Sequence, residues 1–291
     1  MRGLLLAFAI IVTPFSHAAT ITVKDNGYGC MASAIAVSGE INTGDFSKFI
    51  NSLKQLTDKY GREECTKGLT YVSVNSEGGS VDEAIRIGEE IRKNNLGVMI
   101  NKEDRCYSSC VFILAGATDK IPLGRVGIHR PYISKIKEGN QYADVRKSRD
   151  SASQKIRLYL SSVDVPESLL DEMLSYSPEH MKILSSDELF KFRLAGKDAT
   201  REELDVASIA NYYNITSAEY RKRDIRFRKA CSQSTKGKFD KSRAEICMES
   251  VMLNISESEA ENRLVKVKQM CSQLDYQQQQ SCKKKYLVDL Y

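Results

Sequence analysis

The strongest constraint on this chain is an alternation of short apolar strands with amphipathic helices between Ala34 and His129. Ala34-Ile35-Ala36-Val37-Ser38-Gly39-Glu40-Ile41 alternates apolar with small positions, as a buried strand does. Asp45 is placed to cap a helix running to about Tyr60, with Phe46, Phe49, Ile50, Leu53 and Leu56 at helical spacing. Leu69-Thr70-Tyr71-Val72-Ser73-Val74-Asn75 is a second strand, rich in β-branched residues. Gly78-Gly79 then makes a turn, Ser80 to Asn94 an amphipathic helix, and Gly97-Val98-Met99-Ile100 another strand. Ser108 to Ala117 has the composition of a buried helix, and Arg125 to His129 that of a short strand. This order predicts right-handed βαβ units around a parallel sheet. In such sheets chemistry collects at the carboxyl ends of the strands, in the turns before the next helix. Gly78-Gly79 lies in one such turn and Ser108 near another.

Past His129 the pattern turns helical. Asp144 to Leu160 is one helix, a second opens at Pro166 and runs to about Tyr176, and a third covers Glu188 to Leu194 with Ser186 or Asp187 as its cap. Gly196-Lys197-Asp198 interrupts the pattern and marks the end of the sheet-bearing region. Ala218 to Tyr291 has no Pro, few glycines and many Lys, Arg, Glu and Gln, which predicts an all-α region. Two cysteine-bounded spans recur in it, Cys231 to Cys247 and Cys271 to Cys282, each beginning Cys-Ser-Gln; helical hairpins clipped by disulfides fit them. The predicted division is residues 1–18, 19–200 and 201–291.

Residues 1–18 have the features of a cleaved export signal. Met1-Arg2 is basic, Leu4 to Val12 is an apolar run too short to cross a bilayer, and Ser16-His17-Ala18 before Ala19 is a small-x-small cleavage site. Cleavage after Ala18 delivers the chain to the periplasm or beyond, with no membrane-spanning segment left. All eight cysteines lie after the cut: Cys30, Cys65, Cys106, Cys110, Cys231, Cys247, Cys271 and Cys282. An even number in an exported chain points to disulfides. Metal binding is the weaker reading, because no tight Cys-x-x-Cys pair occurs and only His129 and His180 remain as imidazoles. No cofactor is called for. Arg221-Lys222-Arg223 and Lys283-Lys284-Lys285 are basic clusters in a chain of net charge +5; solvated helix faces explain them, and without interleaved aromatics nucleic acid is not expected.

The chemistry-bearing residues are few. A serine hydroxyl needs a base to take its proton, and His129 is the one histidine of the sheet region's core sequence. An acyl-transfer oxyanion needs two preorganised N–H donors. A Gly-Gly turn lets one backbone approach closely and a helix start leaves another N–H unused. Gly79 and Ser109 are the natural pair.

Three stretches together resemble the Clp-type serine proteases of the wider crotonase-like superfamily, over Val37 to about Leu194. Val74-Asn75-Ser76-Glu77-Gly78-Gly79-Ser80-Val81 is similar to that family's Asn-Ser-Pro-Gly-Gly oxyanion turn, with Glu77 in place of Pro. Cys106-Tyr107-Ser108-Ser109-Cys110-Val111-Phe112-Ile113-Leu114 resembles its nucleophile stretch, which puts Ser108 on the catalytic serine. Arg125-Val126-Gly127-Ile128-His129-Arg130-Pro131 resembles the stretch of its catalytic histidine. The resemblance implies an α/β, crotonase-like spiral of βαβ units. It also implies a peptide or protein substrate, a homo-oligomer, and the pairings Cys30–Cys65 and Cys106–Cys110, with two further bonds among the C-terminal helices.

One position departs from the pattern. Aligning Leu184-Ser185 with the family's Leu-Ser-x-x-Glu stretch puts Met181 where the third triad member, an Asp, belongs. Glu179 or Asp187 could substitute; otherwise the site is a Ser-His dyad. An exported chain also has no ATP-driven unfoldase. The expectation is therefore an ATP-independent serine peptidase, with a non-catalytic binding or assembly module as the alternative. Another crotonase-type reaction, on an acyl thioester, ranks behind both.

Overall fold

The computed structural model describes residues 18–25, 27, 29–30, 33–61, 65, 70–131, 142–231 and 241–289. Residues 1–17 of the expected export signal, Leu69, Ser232-Gln233 and the start of the helical stretch after Tyr132 lie outside them. The fold is mixed α/β, with nine strands named in chain order: β1 (Thr20–Lys24), β2 (Ala34–Ser38), β3 (Tyr71–Asn75), β4 (Gly97–Ile100), β5 (Arg105–Tyr107), β6 (Asp119–Pro122), β7 (Arg125–Ile128), β8 (Lys182–Ile183) and β9 (Gly196–Lys197).

They form two sheets rather than the single parallel sheet expected. One has the order β1-β2-β3-β4-β6-β9 and the other β5-β7-β8. The core pairings β2–β3, β3–β4 and β4–β6 are parallel, whereas β1 and β9 close the edges antiparallel. The second sheet pairs β5 with β7 in parallel and β8 antiparallel to β7. The sheets meet at Ser76, whose N–H donates to the Arg105 carbonyl and whose own carbonyl accepts from Tyr107 N. The chain leaving β3 thus switches partners from β4 to β5. That switch delivers the Gly-Gly turn beside the end of β5.

The helices follow the sequence with local corrections. Helix α1 (Asp45–Tyr60) starts one residue after Gly44, which occupies the cap position at φ 98°, so Asp45 is not the cap. The Asp45 carboxylate instead accepts from Asn42 N and pairs with Lys48. The first amides of α1 are satisfied from another element. Gly44 N and Phe46 N both donate to Glu83 Oε2, on helix α2 (Val81–Lys93). Ser80, expected as the first helical residue, instead caps α2 by accepting from Glu83 N. Helix α3 (Cys110–Gly116) is fully buried and begins two residues later than expected.

The pair α2–α3 is the tightest packing in the core. A methyl on Gly116 would lie 2.2 Å from the Gly88 carbonyl, and one on Gly88 would lie 2.6 Å from the Phe112 carbonyl. Tyr159, on α4 (Tyr142–Ser162), seals this crossing by donating its hydroxyl to Phe112 O at 2.6 Å. Only glycine admits backbones this close. The consequence reaches the site, because α3 is the helix whose start follows Ser108.

The remaining helices are α5 (Ser168–Leu174), α6 (Ser186–Lys191), α7 (Ala199–Tyr212), α8 (Ser217–Cys231), α9 (Lys241–Leu253), α10 (Glu257–Cys271) and α11 (Tyr276–Lys284), followed by a π turn at Lys285–Asp289. Ser185, not Ser186 or Asp187, caps α6, in a capping box with Glu188. Gly196-Lys197 is β9, held to β6, so the expected break is a strand. One large core gathers apolar residues from Ala19 to Leu194; a small second one holds Val267, Cys271 and Leu287. Among the described residues no helix is long and apolar enough to cross a membrane.

All eight cysteines pair: Cys30–Cys65, Cys106–Cys110, Cys231–Cys247 and Cys271–Cys282. The last two join α8 to α9 and α10 to α11, as the cysteine-bounded spans predicted. Four disulfides suit an oxidising environment. Three residues of the basic clusters make bonds within the protein: Arg221 pairs with Glu203 at the surface, Arg223 bonds Glu219 and the Met252 carbonyl, and Lys284 reaches Asn211 O.

Candidate active site

The ends of β3, β5 and β7 converge because all three run in parallel through the Ser76 junction. Each end carries one sequence-predicted part. The Gly78-Gly79 turn follows β3, Ser108 follows β5, and His129 follows β7. Parallel pairing of Tyr107 with Gly127 sets Ser108 beside Ile128, one residue from His129.

Ser108 is not the cap of α3. That position belongs to Ser109, whose side chain makes no capping bond. Ser108 sits outside the helix at φ 55°. Among the described residues, five other non-glycine positions have positive φ: Asn95, Asp164, Arg193, Asn214 and Asn254. Each follows a helix end, where a left-handed residue satisfies the last carbonyls. Ser108 alone lies between a strand and a helix start. A left-handed serine there costs about 1–3 kcal/mol, so its surroundings must hold it.

Three restraints do so. Ser108 N donates to Gly127 O at 2.9 Å, and Ser108 O accepts from Val111 N at 3.1 Å. Gly78 packs directly against the turn: a methyl there would lie 2.7 Å from Ser108 Cβ and from Tyr107 O, and 3.1 Å from Ser109 N. The Cys106–Cys110 disulfide closes the bracket, with a Cα separation of 5.2 Å and both residues fully buried. The three residues between them, Tyr107, Ser108 and Ser109, are partly exposed, partly exposed and buried.

The candidate oxyanion donors are oriented by the same contacts. Gly78 N is used by Ser76 Oγ, while Gly79 follows it on an exposed turn at φ 133°. Gly79 is fixed by its neighbours, since Ile41 N donates to Gly78 O and Ser80 N donates to Ile41 O, each at 2.7 Å. Among the described residues, neither Gly79 N–H nor Ser109 N–H donates a hydrogen bond within the protein. The Ser109 hydroxyl is buried with no partner. Two amides without a partner thus lie on the turns to either side of Ser108.

His129 is buried, and its Nδ1 lies 2.9 Å from the Arg130 carbonyl. Antiparallel pairing of Ile128 with Lys182 brings Met181 into register with His129, and the Met181 thioether lies against Gly127. Glu179 is exposed. Its carboxyl is held below the usual range chiefly by its own backbone N–H, then by the Ser177 hydroxyl, with smaller attractions from His180 and His129. His180 bonds Ser177 through Nδ1 at 2.8 Å. Asp187 lies in the first turn of α6 and is exposed. Of the two candidate acids, Glu179 is thus the one whose charge interacts with His129.

Among the described residues no group of His, Cys, Asp and Glu is arranged to hold a metal ion. Cavities of about 410 Å³ beside Cys271 and about 500 Å³ beside Lys120 are not lined by Ser108 or His129. Arg130 is the residue that sequence reasoning passed over: its carbonyl meets His129, and its guanidinium donates twice to Leu174 O. A main-chain acceptor leaves no trace in a residue pattern. The chain matches no protein-family model and no curated protein.

Proposed function

We propose that this protein is an exported serine hydrolase of Clp-type, crotonase-like architecture, acting on peptides or unfolded segments without ATP. Ser108 is the nucleophile, His129 its base, and the Gly79 and Ser109 amides receive the oxyanion. The observation that carries the reading is the left-handed backbone of Ser108 between β5 and α3. Strain at a strand-to-helix turn serves to present a hydroxyl, and here a disulfide, a buried glycine and a strand hydrogen bond maintain it. The four disulfides support an extracytoplasmic location, periplasmic or secreted.

The reaction would begin with proton transfer from the Ser108 hydroxyl to His129 as Oγ attacks an acyl carbon. The leaving amine would take that proton, and water would release the acyl group. A Ser-His dyad stabilises the imidazolium less than a complete triad does, and its rate should fall well below that of one.

A fluorophosphonate probe tests this directly. The oxidised wild-type protein should label at Ser108, and Ser108→Ala and His129→Ala should not. A folded, oxidised protein that never labels would instead support a non-catalytic binding or assembly module, the reading that Met181 opposite His129 favours.

A further inference from the structure

We infer that Arg130 is the positioning residue of this site, its main-chain carbonyl orienting the His129 ring through Nδ1. The inference rests on the proposed hydrolase reading for its catalytic meaning, but its geometry stands apart from that reading.

The His129 Nδ1 atom lies 2.9 Å from Arg130 O. A carbonyl oxygen can only accept, so Nδ1 carries the proton and Nε2 holds the lone pair. This is the tautomer a general base for Ser108 requires. The remaining question is what keeps the carbonyl in place, since consecutive residues do not orient one another unaided. Three restraints act on Arg130. Its N–H donates to Tyr176 O at 3.0 Å. Its guanidinium donates through Nε and a terminal nitrogen to Leu174 O, at 3.1 and 2.7 Å. Pro131 follows it, which bars the helical region to Arg130 and restricts the direction of its carbonyl. Arg130 is therefore clamped from both its main chain and its side chain to the segment after α5, and its carbonyl is held by that clamp.

The same segment leads into β8, which brings Met181 into register with His129. The acceptor on Nδ1 comes from the residue that follows the histidine, and a neutral carbonyl fixes the tautomer without adding a charge of its own.

Nitrogen-15 NMR of the full-length oxidised protein, labelled at histidine, reads the tautomer directly. At a pH where the ring is neutral, His129 should be protonated at Nδ1. Arg130→Ala should increase the Nε2-protonated fraction and slow fluorophosphonate labelling of Ser108 by about 10-fold or more, with the far-UV spectrum kept. Arg130→Lys, which retains a donor for Leu174 O, should recover part of that loss. An Nε2-protonated His129 in the wild-type protein overturns the inference. So does an Arg130→Ala protein with the wild-type tautomer and labelling rate. If Arg130→Ala does not fold, the wild-type spectrum and Arg130→Lys still decide it. A wild-type protein that never labels overturns the hydrolase reading alone, because the tautomer is measured without the reaction.

Discussion

The sheet-bearing region and the C-terminal helices are held together by different means. The first has a continuous core from Ala19 to Leu194, with Phe49, Phe112 and Phe192 fully buried, and two disulfides set within it. The second has a core of Val267, Cys271 and Leu287, and disulfides between successive helices. Burial of a large apolar side chain stabilises by about 1.5–3 kcal/mol, so the sheet region stands on its packing. The C-terminal helices bury too little for that and depend on their cross-links. The same bond type therefore does different work in each: in one it braces a local turn, in the other it sustains the fold.

The contrast can be broken most forcefully at Phe112. Phe112→Ala should destabilise the sheet region by about 3–5 kcal/mol in denaturant unfolding, because α3 packs tightly on α2 with no slack to collapse. Replacing both Cys271 and Cys282 by Ser should cost about 3 kcal/mol, from the loss of an 11-residue closure. Hydrogen exchange should place that loss in α10 and α11 and leave Ser108 labelling intact. A change in labelling would show that the two regions are coupled more closely than their separate cores imply.

A smaller effect sharpens the contrast through pH. Glu249 on α9 is buried and accepts from the Tyr213 hydroxyl at 3.0 Å. Burial pushes its carboxyl up to about 7, with Glu245 adding to the rise and Tyr213 and Lys283 opposing it. Between the ordinary value of 4.5 and about 7 the folded state binds a proton that the unfolded chain has released. Stability therefore falls as pH rises through that window. Glu249→Gln should flatten this slope and raise stability at pH 8, in urea unfolding compared at pH 5 and pH 8. The smallest effect belongs to Arg157, which pairs with Glu167 and Asp171 on the surface. Arg157→Ala should change stability by less than about 1 kcal/mol at 0.15 M salt.

Much of the site was legible in the sequence because its parts carry local signals. Gly78-Gly79, Ser108 and His129 each end a strand, and the topology brings those ends together. Of the small second sheet only β7 was legible. Arg105–Tyr107 is three residues long and begins with a charge, and β8, like β9 at the edge of the larger sheet, has two residues, too short for any periodicity. The cap of α1 was misplaced for another reason: Glu83 lies 37 residues beyond Phe46, so nothing local announces it. Ser108 was extended into α3 because hydroxyls are good helix starters, and a positive φ has no sequence mark outside glycine and asparagine. Met181 was flagged by alignment, but its register with His129 depends on β8.

The Cys106–Cys110 bond has a consequence in time as well as space. A turn braced by a cystine is incomplete while the chain is still reduced. On the proposed reading, the polypeptide would be inert during synthesis and become competent only after crossing into an oxidising compartment. Transport would then act as the maturation step, protecting the cell that makes the protein without a separate inhibitor or propeptide cleavage.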